Sequence, residues 1–107
     1  MRSDYALALA GMLIALSATS GHAQGDAAEG EKLAREWCTR CHNVEPGGPF
    51  KQYPPSFAAI AVYMSPEQIY GQIAFPTLHY GMPQIGYLLT PTNMDDLVAY
   101  IVSLEGL

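Results

Sequence analysis

Residues 38–42 read Cys-Thr-Arg-Cys-His and contain both cysteines of the 107-residue chain. On one helical turn, two cysteines three positions apart lie on the same face, so both thiols can reach the vinyl groups of one porphyrin. The histidine that follows can present a neutral ring nitrogen, a good ligand for iron. This spacing is typical of covalent attachment of a c-type haem. It predicts Cys38 and Cys41 as the attachment sites and His42 as the proximal iron ligand.

Three other uses of a Cys-x-x-Cys pair fit the sequence less well. A thioredoxin-like redox centre expects a βαβ pattern, which the sequence lacks. A zinc site needs further ligands, and there is neither a second cysteine pair nor a His-x3–5-His pair. A plain disulfide in an oxidising compartment would leave the adjacent histidine without a role. We therefore expect one haem c per chain.

The N-terminal residues have the features of a signal peptide. Arg2 supplies a positive charge, an apolar run spans residues 5–16, and small residues lead up to Ala23. A retained transmembrane anchor is the alternative, but the run is short for a bilayer span. We predict that residues 1–23 are removed on export to the periplasm and that residues 24–107 form the mature domain. Maturation of c-type haem in bacteria occurs outside the cytoplasm, which suits this location.

Size and charge limit the classes of function. The formal net charge is −5 at pH 7, which argues against nucleic-acid binding. A partner with a positively charged docking face is compatible with this charge. A domain of this size has a thin core and usually needs a metal, disulfides or a cofactor to stabilise it. A buried haem would supply such an apolar centre.

Apolar residues at helical spacing predict four helices joined by segments rich in Gly and Pro, with no segment at strand spacing. The predicted ranges are 27–40, 56–63, 65–75 and 91–104. The first range ends within the haem-binding motif. Gly30 lies inside it and costs about 1 kcal/mol relative to Ala, so we expect another helix to approach closely there.

Helix starts and inward-facing side chains can also be predicted. Trp37 is expected to pack on the haem edge or in the core, and Ile69, Ile73 and Phe75 are expected to face inward. Three helix starts carry cap signatures, and the last has a second possible start at Thr92 with Asp95. The signatures are Asp26 with Glu29, Ser65-Pro66 with Gln68, and Thr90-Pro91.

The segment 43–56 is a loop rich in Pro and Gly that follows the motif directly. We expect it to wrap the proximal side of the haem. A carbonyl of Pro54 or Pro55 is predicted to accept a hydrogen bond from the outer ring nitrogen of His42. Such a bond would fix the imidazole ring and raise its donor strength.

Met82 is the candidate for the opposite side of the iron. It stands between Gly81 and Pro83 in a loop of restricted shape, and its thioether is a soft ligand for a low-spin haem iron. A single Met is often core filler, but no other Met of the mature chain combines a loop setting with a following Pro. His79 is the rival, and it would give bis-histidine iron with a lower potential.

Together these residues resemble the class I, mitochondrial-type cytochromes c of bacteria. The resemblance rests on the single Cys-x-x-Cys-His, on Met82-Pro83 about forty residues later, and on the final Leu-Val-Ala-Tyr-Ile stretch, 97–101. It covers essentially all of residues 25–105, so it makes 24–107 a cytochrome c domain.

The resemblance implies a small all-α fold with three main helices around one covalently bound haem, the first and last helices crossing. It implies that Gly30 contacts Leu97 and Tyr100. The family often has an aromatic where Ala34 stands, so Trp37 is expected to fill part of that space. It also implies thioether bonds at Cys38 and Cys41, His42 and Met82 as axial ligands, and one-electron transfer without catalysis.

The sequence supports three functional hypotheses. The first is a periplasmic mono-haem carrier that shuttles electrons between a dehydrogenase and a terminal oxidase or reductase. The second is the haem c subunit of a periplasmic dehydrogenase complex, for example a molybdenum sulfite dehydrogenase. The third, an enzyme or gas sensor with an open iron site, requires a labile sixth position. We expect redox protein partners and either a monomer or a subunit of a hetero-complex.

Overall fold

Over the residues that the structure describes, the fold consists of four α-helices and one short 3-10 turn. In the computed structural model, which describes residues 25–77 and 81–107, the helices are α1 (Ala27–Trp37), α2 (Phe57–Tyr63), α3 (Pro66–Ala74) and α4 (Pro91–Ser103). The 3-10 turn spans Gly86–Leu88 and precedes α4. Within the described ranges the extended structure is one isolated bridge between Gln52 and Pro55. The all-α prediction is confirmed, while the predicted signal peptide and His79 lie outside the described residues.

The start of α1 is capped, but not by the predicted capping box. The Asp26 side chain accepts hydrogen bonds from the backbone N–H groups of Ala28 and Glu29, at 2.9 and 3.2 Å. The Glu29 carboxylate, however, accepts from Lys32 Nζ at 2.6 Å. The backbone N–H of Asp26 donates instead to Asp96 Oδ1 at 2.7 Å. The start of α1 is therefore tied to α4.

The end of α1 lies at Trp37, three residues before the predicted end at Arg40. The Thr39 hydroxyl donates to the Arg35 carbonyl at 2.9 Å, the same carbonyl that the Thr39 N–H would bond in a continuing helix. Side-chain competition of this kind favours helix ends over helix interiors. The haem-binding motif therefore forms a turn after α1 instead of its last helical turn.

Helices α1 and α4 cross in direct backbone contact at Gly30. A β-carbon added to Gly30 would lie 1.9 Å from the Asp96 carbonyl oxygen and 2.8 Å from Tyr100 Cβ. Only a glycine fits such an approach without displacing one helix. The predicted close approach is confirmed, with Asp96 and Tyr100 supplying the nearest atoms.

The core lies between α4 and the other helices. The buried residues of α4 are Met94, Asp96, Leu97, Tyr100 and Ile101, and the C-cap residue Leu104 is buried beside them. Val98 packs against this core while staying partly exposed. Residues from the rest of the chain complete the cluster: Ala34, Val44, Phe57, Ala61, Ile69 and Ile73.

Phe75 does not face inward as predicted, and Trp37 does not pack in the core. Phe75 is 86% exposed because α3 ends at Ala74 and the Phe75 backbone, at φ −136° and ψ 69°, leaves helical geometry before Pro76. Trp37 is 43% exposed and lies outside the core cluster, so it does not fill the space beside the fully buried Ala34. Its predicted place at the haem edge stays a prediction.

The starts of α3 and α4 match their predicted signatures. Ser65 and Gln68 form a capping box at α3, and Thr90 and Asn93 form one at α4, each with Pro at the first helical position. The alternative start at Thr92 is not used. These local signals fix the direction in which both helices leave the preceding loops.

Tyr100 joins α4 to the loop after the haem-binding motif, and its replacement by Phe should reveal the value of that link. Its buried hydroxyl donates to the Val44 carbonyl at 2.5 Å, and burial raises the pKa of this phenol. Tyr100→Phe leaves that carbonyl unpaired, so we expect a loss of about 1–2 kcal/mol in the free energy of unfolding. Urea unfolding of the holoprotein measures it. The matched control, Tyr63→Phe, alters an exposed hydroxyl and should change stability by less than about 0.5 kcal/mol.

Candidate functional site

The turn after α1 brings the motif's three chemical groups together. The Cys38 N–H still donates to the Ala34 carbonyl at 2.9 Å. Cys38 is therefore the last residue whose backbone N–H bonds to a carbonyl of α1. The Cys38 carbonyl then accepts from the N–H groups of both Cys41 and His42, at 3.2 and 2.9 Å. One carbonyl thus closes a compact turn that carries two sulfurs and one imidazole.

Both thiols are free, and their environments differ. Cys38 is half-buried and packs against the core, whereas Cys41 is exposed. Burial raises the pKa of the Cys38 thiol to about 11, because a thiolate would lose its hydration there. Neither sulfur is joined to the other, so both can form bonds to a ligand placed against the turn.

The His42 ring is held from behind by the loop. Nδ1 lies 2.6 Å from the Pro55 carbonyl oxygen, which has no proton and can only accept. Nδ1 therefore carries the hydrogen, and the lone pair lies on Nε2, the nitrogen on the far side of the ring. The Phe57 ring supports the imidazole at a centroid distance of 5.4 Å. The predicted carbonyl bond is confirmed, with Pro55 as the acceptor.

Backbone hydrogen bonds place Pro55 where His42 needs it. The Phe57 N–H donates to the Asn43 carbonyl at 2.9 Å, which joins the two ends of the loop. The Ser56 N–H donates to the Lys51 carbonyl at 2.9 Å, and the buried Ser56 hydroxyl caps α2 by accepting from Ala59 N–H. The roles of Asn43 and Ser56 were missed in the sequence. The Ser before an apolar run was an available signal for the cap, whereas Asn43 contributes a backbone carbonyl that its residue type does not reveal.

An ion-pair cluster links the loop to α1. The Arg35 guanidinium donates to Glu31 Oε1 at 2.7 Å and to Glu45 Oε2 at 3.0 Å. The hydrogen bond between Arg35 and Glu45 lowers the pKa of the Glu45 carboxyl and raises the pKa of the Arg35 guanidinium. Exposed pairs contribute little to stability, but this cluster neutralises the one positive charge at the end of α1.

Met82 lies in the loop between α3 and the 3-10 turn. Gly81 has a positive φ of 72°, and Met82 itself is half-buried. After it, the Ile85 N–H donates to the Pro83 carbonyl at 2.9 Å, which begins the next turn. None of the hydrogen bonds or ring contacts in the described segments joins Met82 to the 38–42 turn. Its role as an iron ligand stays a prediction.

The chemistry of these donors fits a covalently attached haem. Two free thiols stand on one turn with an imidazole whose Nε2 is directed away from its supporting carbonyl. Across residues 25–77 and 81–107, no helix is long and apolar enough to cross a membrane. In the same ranges no group of three or more His, Cys, Asp or Glu side chains could hold a metal ion. Two thiols and an imidazole lone pair on one turn could hold a haem covalently and bind its iron.

Comparison with known proteins agrees with this chemistry. The family model described as cytochrome C oxidase, cbb3-type, subunit III matches residues 25–101. Cytochrome c-552 of Bradyrhizobium diazoefficiens is 36% identical over 97 residues, which cover 88% of this chain and 89% of that protein.

A second relative matches over a shorter segment. Cytochrome c2 of Pararhodospirillum photometricum is 58% identical over 33 residues, 31% of this chain, and the match covers only 29% of that protein. No solved structure matches the chain significantly. Because the family match spans most of the helical domain and the c-552 relative is similar along nearly its whole length, the chain belongs to the class I bacterial cytochromes c, electron-transfer proteins that hold a covalently bound haem c.

Proposed function

We propose that this protein is a periplasmic mono-haem cytochrome that carries single electrons between a dehydrogenase and a terminal oxidase or reductase. The observation that carries the proposal is the contact between His42 Nδ1 and the Pro55 carbonyl. It fixes the tautomer and the orientation of the ring. A rigid axial ligand favours electron transfer because little reorganisation accompanies each change of charge.

The proposed roles follow from the turn. Cys38 and Cys41 would hold the haem by two thioether bonds, and His42 would bind the iron through Nε2. When bound, the haem supplies the one-electron couple. The protein's part is to orient His42, to raise its donor strength through Pro55, and to keep water from the iron.

Met82 is proposed as the second axial ligand, and Met82→Ala tests it. The substitution should open the sixth position, so that the reduced protein binds carbon monoxide stoichiometrically and the reduction potential falls. Absorption spectra and a potentiometric titration measure both effects. The control Met64→Ala removes a half-buried thioether at the end of α2 and should leave carbon monoxide binding absent. An unchanged spectrum in Met82→Ala, together with carbon monoxide binding in His79→Ala, would assign the ligand to His79.

A haem subunit within a larger enzyme complex is the second candidate. The description of the family model that matches this chain names a subunit of an oxidase. That description supports the association of this chain with a larger assembly. The specific alternative is the haem subunit of a periplasmic dehydrogenase, for example a molybdenum sulfite dehydrogenase. Native size-exclusion chromatography of a periplasmic extract, followed by haem absorbance, separates the candidates. A free carrier elutes as a small monomer, and a subunit elutes with its enzyme.

Attachment, processing and location can be tested together. Periplasmic material should contain the chain cleaved after Ala23, at an intact mass that includes one haem. A pyridine haemochrome spectrum should give one haem c per chain, and dithionite followed by ferricyanide should reduce and reoxidise it reversibly. A colourless, well-folded chain at its bare polypeptide mass would contradict the proposal.

A further inference from the structure

Helix α4 carries a second apolar stripe, which touches the edge of the core and stays partly exposed. Val98, Ala99 and Val102 recur at the spacing of one helix face and are each half-buried. They lie beside the buried face described above rather than on it. A helix that is apolar on more than one face is expected to meet more than one partner surface.

This second stripe forms one wall of a groove, here named the α3–α4 groove. Pro66, Glu67 and Tyr70 of α3 form the other wall, and the enclosed volume is about 550 Å3. Tyr70 also lines an adjoining cavity of about 260 Å3, whose outer wall includes Phe75 and Tyr87. The two cavities share a side chain, so together they form an extended apolar surface.

The rim of the groove is acidic. Glu67 and Asp95 line it and are exposed, and neither forms an ion pair within the described residues. The basic side chains of α1 cannot neutralise this rim, because Lys32 is paired with Glu29 and Arg35 with two other glutamates. An apolar floor with an acidic rim complements a segment that has apolar side chains flanked by cationic ones.

We infer that the α3–α4 groove docks a cationic amphipathic helix of a partner protein. A second copy of this chain fits less well, because a symmetric contact would bring four carboxylates together. An anionic membrane surface would be repelled by the same rim. None of the lining residues belongs to the 38–42 turn or to its Pro55 support, so the docked helix anchors a partner without contacting the haem-binding residues. This surface goes beyond the proposed electron-carrier function.

The test uses the reduced holoprotein and a synthetic probe. A leucine–lysine amphipathic peptide of about 14 residues, roughly four helical turns, is titrated while amide NMR spectra are recorded. Shifts should concentrate at Tyr70, Val98, Ala99 and Val102 and should saturate. A serine–lysine peptide of equal charge should bind at least about tenfold more weakly, since it lacks the apolar contacts.

Matched variants separate the rim from general charge. Glu67→Gln with Asp95→Asn keeps side-chain shape and should weaken peptide binding about three- to tenfold. The control Glu36→Gln with Glu105→Gln removes the same charge from exposed sites outside the groove and should change binding less than about twofold. Ala99→Arg places a bulky, positively charged side chain in the groove. Because the peptide is also cationic, this variant should show no saturable binding.

Each alternative outcome overturns the inference in a distinct way. If the amide NMR shifts centre on residues 38–42, the cationic peptide binds at the haem site and not in the groove. If both double variants weaken peptide binding equally, the binding depends on the net charge of the protein and not on the rim of the groove. Concentration-dependent dimerisation without peptide, or tighter binding to vesicles of anionic lipid than to the peptide, would assign the groove to another occupant. The haem spectrum, recorded for every variant, reports separately on the electron-carrier site.

Discussion

A variant with Cys38→Ser and Cys41→Ser is expected to lose covalent haem and to remain largely unfolded. Within the described residues, the largest side chains that are fully buried are those of Ile69, Leu97, Ile101, Val44 and Ser56. In contrast, three large aromatic side chains on the 43–56 loop and on α2 are mostly exposed: Phe50, Tyr53 and Tyr63. In domains below about 80 residues the core rarely supplies more than about 3–5 kcal/mol, and this domain is scarcely larger.

Serine removes the attachment chemistry while keeping the size of the side chain. The pyridine haemochrome of the double variant should show no haem c, and far-UV circular dichroism should fall well below the holoprotein signal. The control Thr39→Ala lies inside the same turn and removes only the hydrogen bond to the Arg35 carbonyl. It should retain haem and helicity. A double variant that is compact and helical without cofactor would disprove the view that haem completes the core.

Local chemistry explains what the sequence predicted correctly. The capping boxes at Ser65 and Thr90 each involve residues within one helical turn, so their patterns are complete in the sequence. The bond from His42 to Pro55 spans only 13 residues and could be expected from the proline-rich loop. The family resemblance added the crossing of the first and last helices.

Long-range contacts explain what the sequence did not predict. Asp26 and Asp96 are 70 residues apart, and their hydrogen bond replaces the capping box that Glu29 would have completed. Likewise, nothing near Val44 in the sequence indicates that its carbonyl accepts from Tyr100, 56 residues later. The α3–α4 groove was missed for a related reason. Val98 packs against the core while staying partly exposed, and only the packing of α3 against α4 shows that its exposed part lines a groove.

The charge distribution follows from the same packing. The chain carries a net charge of −5. Within the residues that the structure describes, the ion pairs all lie in α1 and at the start of the 43–56 loop. Carboxylates elsewhere in the described residues therefore have no ion-pair partner to offset their charge. A carrier of this kind can hold one partner by an acidic surface while a different surface, near the 38–42 turn, exchanges electrons. Binding and electron transfer could then be altered by separate substitutions.

Gly30→Ala is expected to lower the free energy of unfolding although alanine is the better helix former. In a free helix the change would add about 1 kcal/mol of stability. Here the new methyl group would lie 1.9 Å from the Asp96 carbonyl oxygen, which belongs to the backbone of α4 and cannot rotate away. The helices must separate, and that movement also strains the bond from Asp26 N–H to the Asp96 carboxylate. Overpacking of this kind costs about 1–3 kcal/mol, and a clash with helix backbone lies at the upper end of that range. After the gain of about 1 kcal/mol in helix propensity, the net effect should be a loss of about 2 kcal/mol.

Gly71→Ala provides the matched control, because Gly71 lies in α3 and a β-carbon added there meets nothing within 4 Å. Without a clash, the helix propensity of alanine should raise stability by about 0.5–1 kcal/mol. The two substitutions are chemically identical, so opposite signs in guanidinium unfolding of the holoproteins isolate the contact between α1 and α4. If Gly30→Ala is as stable as Gly71→Ala, the helices do not cross in backbone contact, and the link between the start of α1 and Asp96 loses its structural basis.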